Sequence, residues 1–138
     1  MATQNEQTPT GSQKTRRDYK DRVFCKLFGS EEYKDYLLSL YNALNGTSYE
    51  NEDDLEITTL DSALYMAIKN DVSCIVGCTM NLYEHQSTYN PNMPLRGFLY
   101  FADLYRKMIR GNERIYSPSI LKIPNPKFIV FYNGEISK

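Results

Sequence analysis

The sequence predicts a mixed α/β fold built on a mixed central sheet, and three observations carry that prediction. Apolar residues recur at helical spacing in segments near residues 18–29, 30–45 and 95–111. Short extended segments separated by turn residues lie between the second and third of these. The third helix then stands between those strands and a last apolar run, "FIVFYNG". A strand reached through a helix returns parallel and right-handed to its sheet. The 138 residues suffice for one domain with a real core, not for two.

Taken in order, "MATQNEQTPTGSQKTRR" (1–17) has almost nothing to bury and reads as a disordered tail, which leaves 18–138 as the domain. In "DYKDRVFCKLFG", Val23, Phe24, Leu27 and Phe28 form an apolar stripe that Gly29 ends. Ser30 is placed to cap the next helix, whose start suits Glu31 and Glu32. Tyr33, Leu37, Leu40, Tyr41 and Leu44 repeat at helical spacing up to the Asn45-Gly46 stop. "TSYENEDDLE" reads as a solvated acidic connector.

Four extended segments follow: "LEITTL", "ALYMAI", "VSCIVG" and "MNLYEHQ", with reversals at Lys69-Asn70 and Gly77-Cys78-Thr79. "YNPNMP" is a loop, and Pro94 suits the first turn of the helix after it. On that helix Leu95, Phe98, Leu99, Ala102, Tyr105 and Ile109 share a face, which predicts the packed side. "IYSPSILKIPNPK" is a proline-punctuated connector to the last strand, and the chain ends so soon after it that a truncated C-terminus is expected.

Composition narrows the function classes. A net charge of -1 and a sequence pI of about 5.8 advertise no global positive field for nucleic acid, although a local patch beside a metal can suffice. Twelve tyrosines and six phenylalanines supply core mass in place of tryptophan. Three cysteines, with a single histidine, fit neither a disulfide framework nor a zinc site. Cys74 and Cys78 are expected on one side of an extended strand as reduced core residues. No signal peptide and no membrane-length apolar run are present in the sequence, so a cytoplasmic location without membrane contact is expected.

The chemistry gathers in "NDVSCIVGCTMNLYEHQS". Residues two apart on a strand share a face, so Glu84 and Gln86 point together while Tyr83 and His85 point away. If the two halves pair as a hairpin, Asp71 comes beside Glu84 and Gln86. Two carboxylates converging there repel unless a cation sits between them, and oxygen ligands of this kind suit Mg²⁺ or Mn²⁺. The spacing alone is a weak signal and fits two surface residues at strand ends better than a metal site.

The pattern of Asp71, a hairpin, Glu84-x-Gln86, a helix and a strand resembles the PD-(D/E)xK nuclease superfamily. Gln in the last position, "DRVFCKLFG", "YEHQSTYNPNMPLR" and "IVFYNG" resemble its recombination-promoting nuclease and transposase-like (Rpn-like) branch, over roughly residues 18–134. The resemblance implies a restriction-endonuclease-like α-β-β-β-α-β core and a divalent-metal DNA endonuclease. It implies Asp71 and Glu84 as metal ligands, the backbone carbonyl of His85 as a third, and Gln86 at the catalytic position where the superfamily has lysine. The sequence departs from the superfamily pattern at Asn70, which stands where proline is usual. Gln86, being neutral, can orient a water or a phosphate oxygen but supplies no charge.

Other candidates are read in that light. His85 invites a general-base role, but its alternation directs it to packing on the opposite face. Arg106, Lys107, Arg110 and Arg114 read first as a solvated helix face and second as a track for a phosphate backbone. Arg96 is expected to be the nearer phosphate contact. Tyr89, Asn90 and Asn92 fit either nucleic-acid contacts or turns, and Asp21 or Glu32 could add an acid to the site. The expected partner is DNA, with homodimerisation a further possibility. The rival reading is a catalytically silent module of the same fold that binds nucleic acid or protein.

Overall fold

The structure, a computed structural model, describes residues 11–59 and 71–134. Helix α1 spans Gly11–Gly29, a 3₁₀ turn at Glu31–Tyr33 leads into α2 (Lys34–Asn45), and strands β1 (Leu55–Ile57), β2 (Asp71–Val76) and β3 (Thr79–Gln86) follow. Helix α3 (Met93–Met108) then crosses to β4 (Asn125–Tyr132). The sheet order is β1-β2-β3-β4, antiparallel between the first three strands and parallel between β3 and β4. The fold is therefore mixed α/β with a mixed sheet, and the helix between β3 and β4 supplies the crossover that parallel pairing requires. The "ALYMAI" segment, the Lys69-Asn70 reversal and residues 1–10 of the expected tail lie outside the described residues.

Local chemistry explains the ends of the elements. Ser30 caps the 3₁₀ turn by accepting from the Glu32 N–H at 3.3 Å. Gly46 closes α2 in the left-handed conformation, with φ of 64°. Helix α1 starts at Gly11 and not at Asp18, because Gln13, Lys14, Arg16 and Arg17 are good helix formers.

Side chains alternate along the strands and divide the core in two. Leu37, Leu38 and Tyr41 of α2 pack with Leu55, Val72, Cys74, Val76 and Tyr83 on one face, with Phe24, Cys25 and Phe28 of α1 against them. Tyr100, Phe101 and Leu104 of α3 pack on Met80 and Leu82 of the other face. The sheet is thus the middle of three layers.

Two expectations about burial are corrected. The first half of the α3 face predicted to pack is turned outward: Leu95 is 58% exposed, Phe98 69% and Leu99 50%, whereas Ala102, Tyr105 and Ile109 of that face are half-buried and Met93, Gly97, Tyr100, Phe101 and Leu104 are buried. The reason is Gly97, which lets the helix backbone close onto the Phe128 ring of β4 and so rotates Tyr100 and Leu104 onto the sheet. Cys78 is exposed in the β2–β3 turn and does not share a strand face with buried Cys74, whose thiol burial pushes up to about 12.

A Cβ at position 97 would overlap the Phe128 ring. Gly97→Ala should lower stability by about 1–3 kcal/mol, the scale of overpacking a tight contact. Chemical denaturation checks this, and Phe128→Leu in the same chain should recover part of the loss.

Candidate metal and phosphate site

The turn between β2 and β3 determines which side chains meet. Val76 pairs with Thr79 across a two-residue loop in which Gly77 alone has positive φ, at 57°. This is the geometry of a II′ hairpin turn, which takes glycine at its first position. The pair flanking such a loop exchanges backbone hydrogen bonds, so the ladder alternates from there. Thr58 N–H donates to the Ser73 carbonyl at 2.8 Å, which confirms that the odd residues of β2 turn their backbone groups toward β1. Asp71 and Glu84, which are register partners, therefore form a non-hydrogen-bonded pair, the kind with Cα atoms only about 4.5 Å apart and side chains close. Both project to the α3 side of the sheet.

Both carboxylates are buried, Asp71 to 6% exposure and Glu84 to 2%. Buried carboxylates need partners, and here the two are satisfied differently. Arg96, in the first turns of α3, places Nη2 at 2.9 Å from Glu84 Oε1. Gln86 Nε2 donates to that same oxygen at 2.5 Å. Asp71 accepts from the Tyr100 hydroxyl, and burial nonetheless holds its carboxyl above the ordinary range, a shift that the Tyr100 bond and the nearby Arg96 charge reduce. Two carboxylates and one guanidinium leave one net negative charge in the cluster.

The sequence-predicted residues divide cleanly. Asp71, Glu84, Gln86 and Arg96 come together; Tyr100 joins them and was not anticipated. The signal for Tyr100 was its position four residues after Arg96 on the same helix face. The His85 ring packs on the opposite face, stacked on Phe24 with centroids 5.7 Å apart, as its alternation predicts. By the same alternation its carbonyl points along the sheet toward the β2 side, past Asp71.

Arg106, Lys107 and Arg110 are exposed; the first two lie on α3, about 15 Å or more along the helix from Arg96 at 1.5 Å per residue, and Arg110 follows in the turn just past its end. Arg106 pairs with Asp103, and Lys107 lines a separate cavity of about 350 Å³ with Glu56, Ile75, Met80 and Leu104. They do not belong to the carboxylate cluster. Glu32 is exposed at the junction of the helices on the opposite face; Asp21 lies in α1, and its side chain is outside the description. Tyr89 is 76% exposed, and Asn90 Oδ1 accepts from the Asn92 N–H at 2.9 Å in a turn.

Among the described residues, no group of three or more His, Cys, Asp and Glu side chains is placed to hold a metal ion. The donor set nonetheless fits Mg²⁺ or Mn²⁺, because Mg²⁺ is commonly held by one or two carboxylates with water and phosphate oxygens completing the shell. Among the described residues no helix is long and apolar enough to cross a membrane. No protein-family model matches the chain, and no curated protein or solved structure is significantly similar to it.

The unequal partners make the two carboxylates separable. Asp71 titrates higher in the folded chain than unfolded, so its contribution to stability is present at low pH and is lost as pH rises through the raised value. Asp71→Asn should therefore match wild type below about pH 4 and exceed it in stability at neutral pH in chelator. Glu84→Ala should fall below wild type by about 1–3 kcal/mol at pH 7, because it leaves Arg96 without its carboxylate. Thermal melts across pH 3.5–8 read both differences.

Proposed function

We propose that the protein is a Mg²⁺- or Mn²⁺-dependent DNA endonuclease that hydrolyses phosphodiester bonds. The observation that supports this most is the buried Asp71–Glu84 pair, set side by side by the hairpin register with Gln86 and Arg96 against it. Further support comes from the described elements, ordered α-α-β-β-β-α-β, whose last strand is parallel to the strand carrying Glu84, since the Rpn-like resemblance implies an α-β-β-β-α-β core.

In this reading Asp71 and Glu84 hold the cation, with the His85 backbone carbonyl as a further oxygen. When bound, the cation lowers the pKa of a water and offsets charge on the phosphate. Tyr100 fixes the Asp71 carboxylate by hydrogen bonding, so the ligand keeps one orientation. Gln86 can turn its amide to the attacking water or to a phosphate oxygen. Arg96, a quarter exposed, can reach a non-bridging phosphate oxygen with its fork. DNA lying along α3 would meet Arg106, Lys107 and Arg110 beyond the cluster, as exposed contacts to the backbone.

One observation favours a second reading, a silent module that binds nucleic acid or protein without cleaving it. Arg96 and Gln86 already occupy Glu84 Oε1, so the cluster is partly satisfied with no metal. Single-turnover cleavage of supercoiled and single-stranded DNA in Mn²⁺ separates the two. The nuclease reading predicts that Asp71→Ala and Glu84→Ala abolish cleavage and that Gln86→Ala slows it by roughly ten- to a thousandfold. Equal rates in wild type and all three variants would establish the silent module instead.

A further inference from the structure

We propose that Arg96 is a resident counterion of the site: a guanidinium that a divalent cation displaces from Glu84 Oε1 and that becomes a phosphate-binding group once displaced. The proposal rests on the metal-site reading above and adds a competition to it. Glu84 is only 2% exposed, and a carboxylate so buried requires a compensating charge when no metal is bound. Arg96 supplies it at 2.9 Å.

The geometry makes the competition specific to one atom. A carboxylate oxygen offers about two lone-pair positions. Arg96 Nη2 and Gln86 Nε2 both point at Glu84 Oε1, at 2.9 and 2.5 Å, so that oxygen has no position left for a cation. A cation that takes Glu84 through Oε1 therefore requires one of these donors to withdraw. The guanidinium shares the cation's sign and is repelled, whereas the neutral amide of Gln86 is not.

Arg96 also has somewhere to go. Its side chain is 24% exposed, and it stands near the start of α3, beside the Pro91-Asn92 loop, where its neighbour Leu95 is open to solvent. The N–H of Arg96 donates to the Asn92 carbonyl at 3.0 Å, so the backbone stays anchored while the side chain turns outward. Before displacement the cluster carries one net negative charge. With a divalent cation bound and the guanidinium moved to its rim, the same groups sum to one net positive charge, which favours an incoming phosphate. Metal entry and substrate affinity are coupled through one side chain.

The experiment measures Mn²⁺ affinity by the loss of the free-ion electron paramagnetic resonance signal for wild type, Arg96→Gln, Arg96→Lys and Asp71→Ala. Each protein is also melted in chelator and in Mn²⁺. Removing the competing charge should tighten Mn²⁺ binding in Arg96→Gln by roughly ten- to a hundredfold, within the usual range of site-to-site coupling. The same variant should melt below wild type in chelator and regain stability in Mn²⁺. A purely structural arginine would lower stability without raising affinity. If wild type binds Mn²⁺ and Arg96→Gln binds it no more tightly, the counterion proposal is overturned while the metal site stands. If neither protein binds Mn²⁺, the metal-site reading fails and takes the proposal with it. Should Arg96→Gln not fold even in Mn²⁺, Arg96→Lys decides: its single-point ammonium should hold Glu84 less well, so tighter binding than wild type supports the proposal and unchanged or weaker binding overturns it.

Discussion

A two-residue turn at Gly77-Cys78 fixes the phase of the β2–β3 ladder, and everything at the candidate site descends from that phase. It makes Asp71 and Glu84 a non-hydrogen-bonded pair, so their side chains stand closer than they would one position along. A slip of one residue between the two strands would turn one of them over relative to the other, placing the two carboxylates on opposite faces and expelling Val72 or Tyr83 from the layer under α1 and α2. The apolar alternation of Val72, Cys74 and Val76 against Leu82 and Met80 therefore protects the site as well as the core. Two acids are held together because moving them apart would cost the hydrophobic layer beneath.

That enforced proximity creates an electrostatic demand, and the surrounding helix answers it. Gly97 lets α3 approach Phe128 closely, which brings Arg96 over Glu84 and Tyr100 over Asp71 from successive turns of one helix face. The two acids are thus unlike: one has an ion pair and an amide donor, the other a hydroxyl donor and a protonation equilibrium shifted by burial. Such a division, with one net negative charge remaining, is what the proposed reading requires of a site that is stable empty and accepts a cation.

Much of this was legible in the sequence, and the parts that were not have physical reasons. The alternation in "MNLYEHQ" assigns Glu84 and Gln86 to one face and His85 to the other, and the structure keeps that assignment because strand period is rigid. The packed face of helix α3 was misread in its first half because the helix carries two apolar stripes. Leu95, Phe98 and Leu99 are the more hydrophobic set, but close approach at a glycine chose Tyr100, Phe101 and Leu104. A glycine in a helix gives no periodic signal, so its effect on rotation emerges only with the partner strand. Cys78 was misassigned for a similar reason: Gly77-Cys78 is a turn of minimum length, leaving the strand one residue earlier than its apolar pattern suggests. The pairing of Arg96 with Glu84 joins residues on a helix and a strand whose mutual placement no local spacing encodes.

The most direct test of the central claim, that the hairpin register builds a divalent-cation site, is the anomalous scattering from a crystal of the protein soaked in Mn²⁺. The account predicts a single strong peak within ligand distance of both the Asp71 and Glu84 carboxylates, with the Arg96 guanidinium moved off Glu84. Saturating Mn²⁺ with no peak there, and the Arg96–Glu84 pair intact, would contradict it.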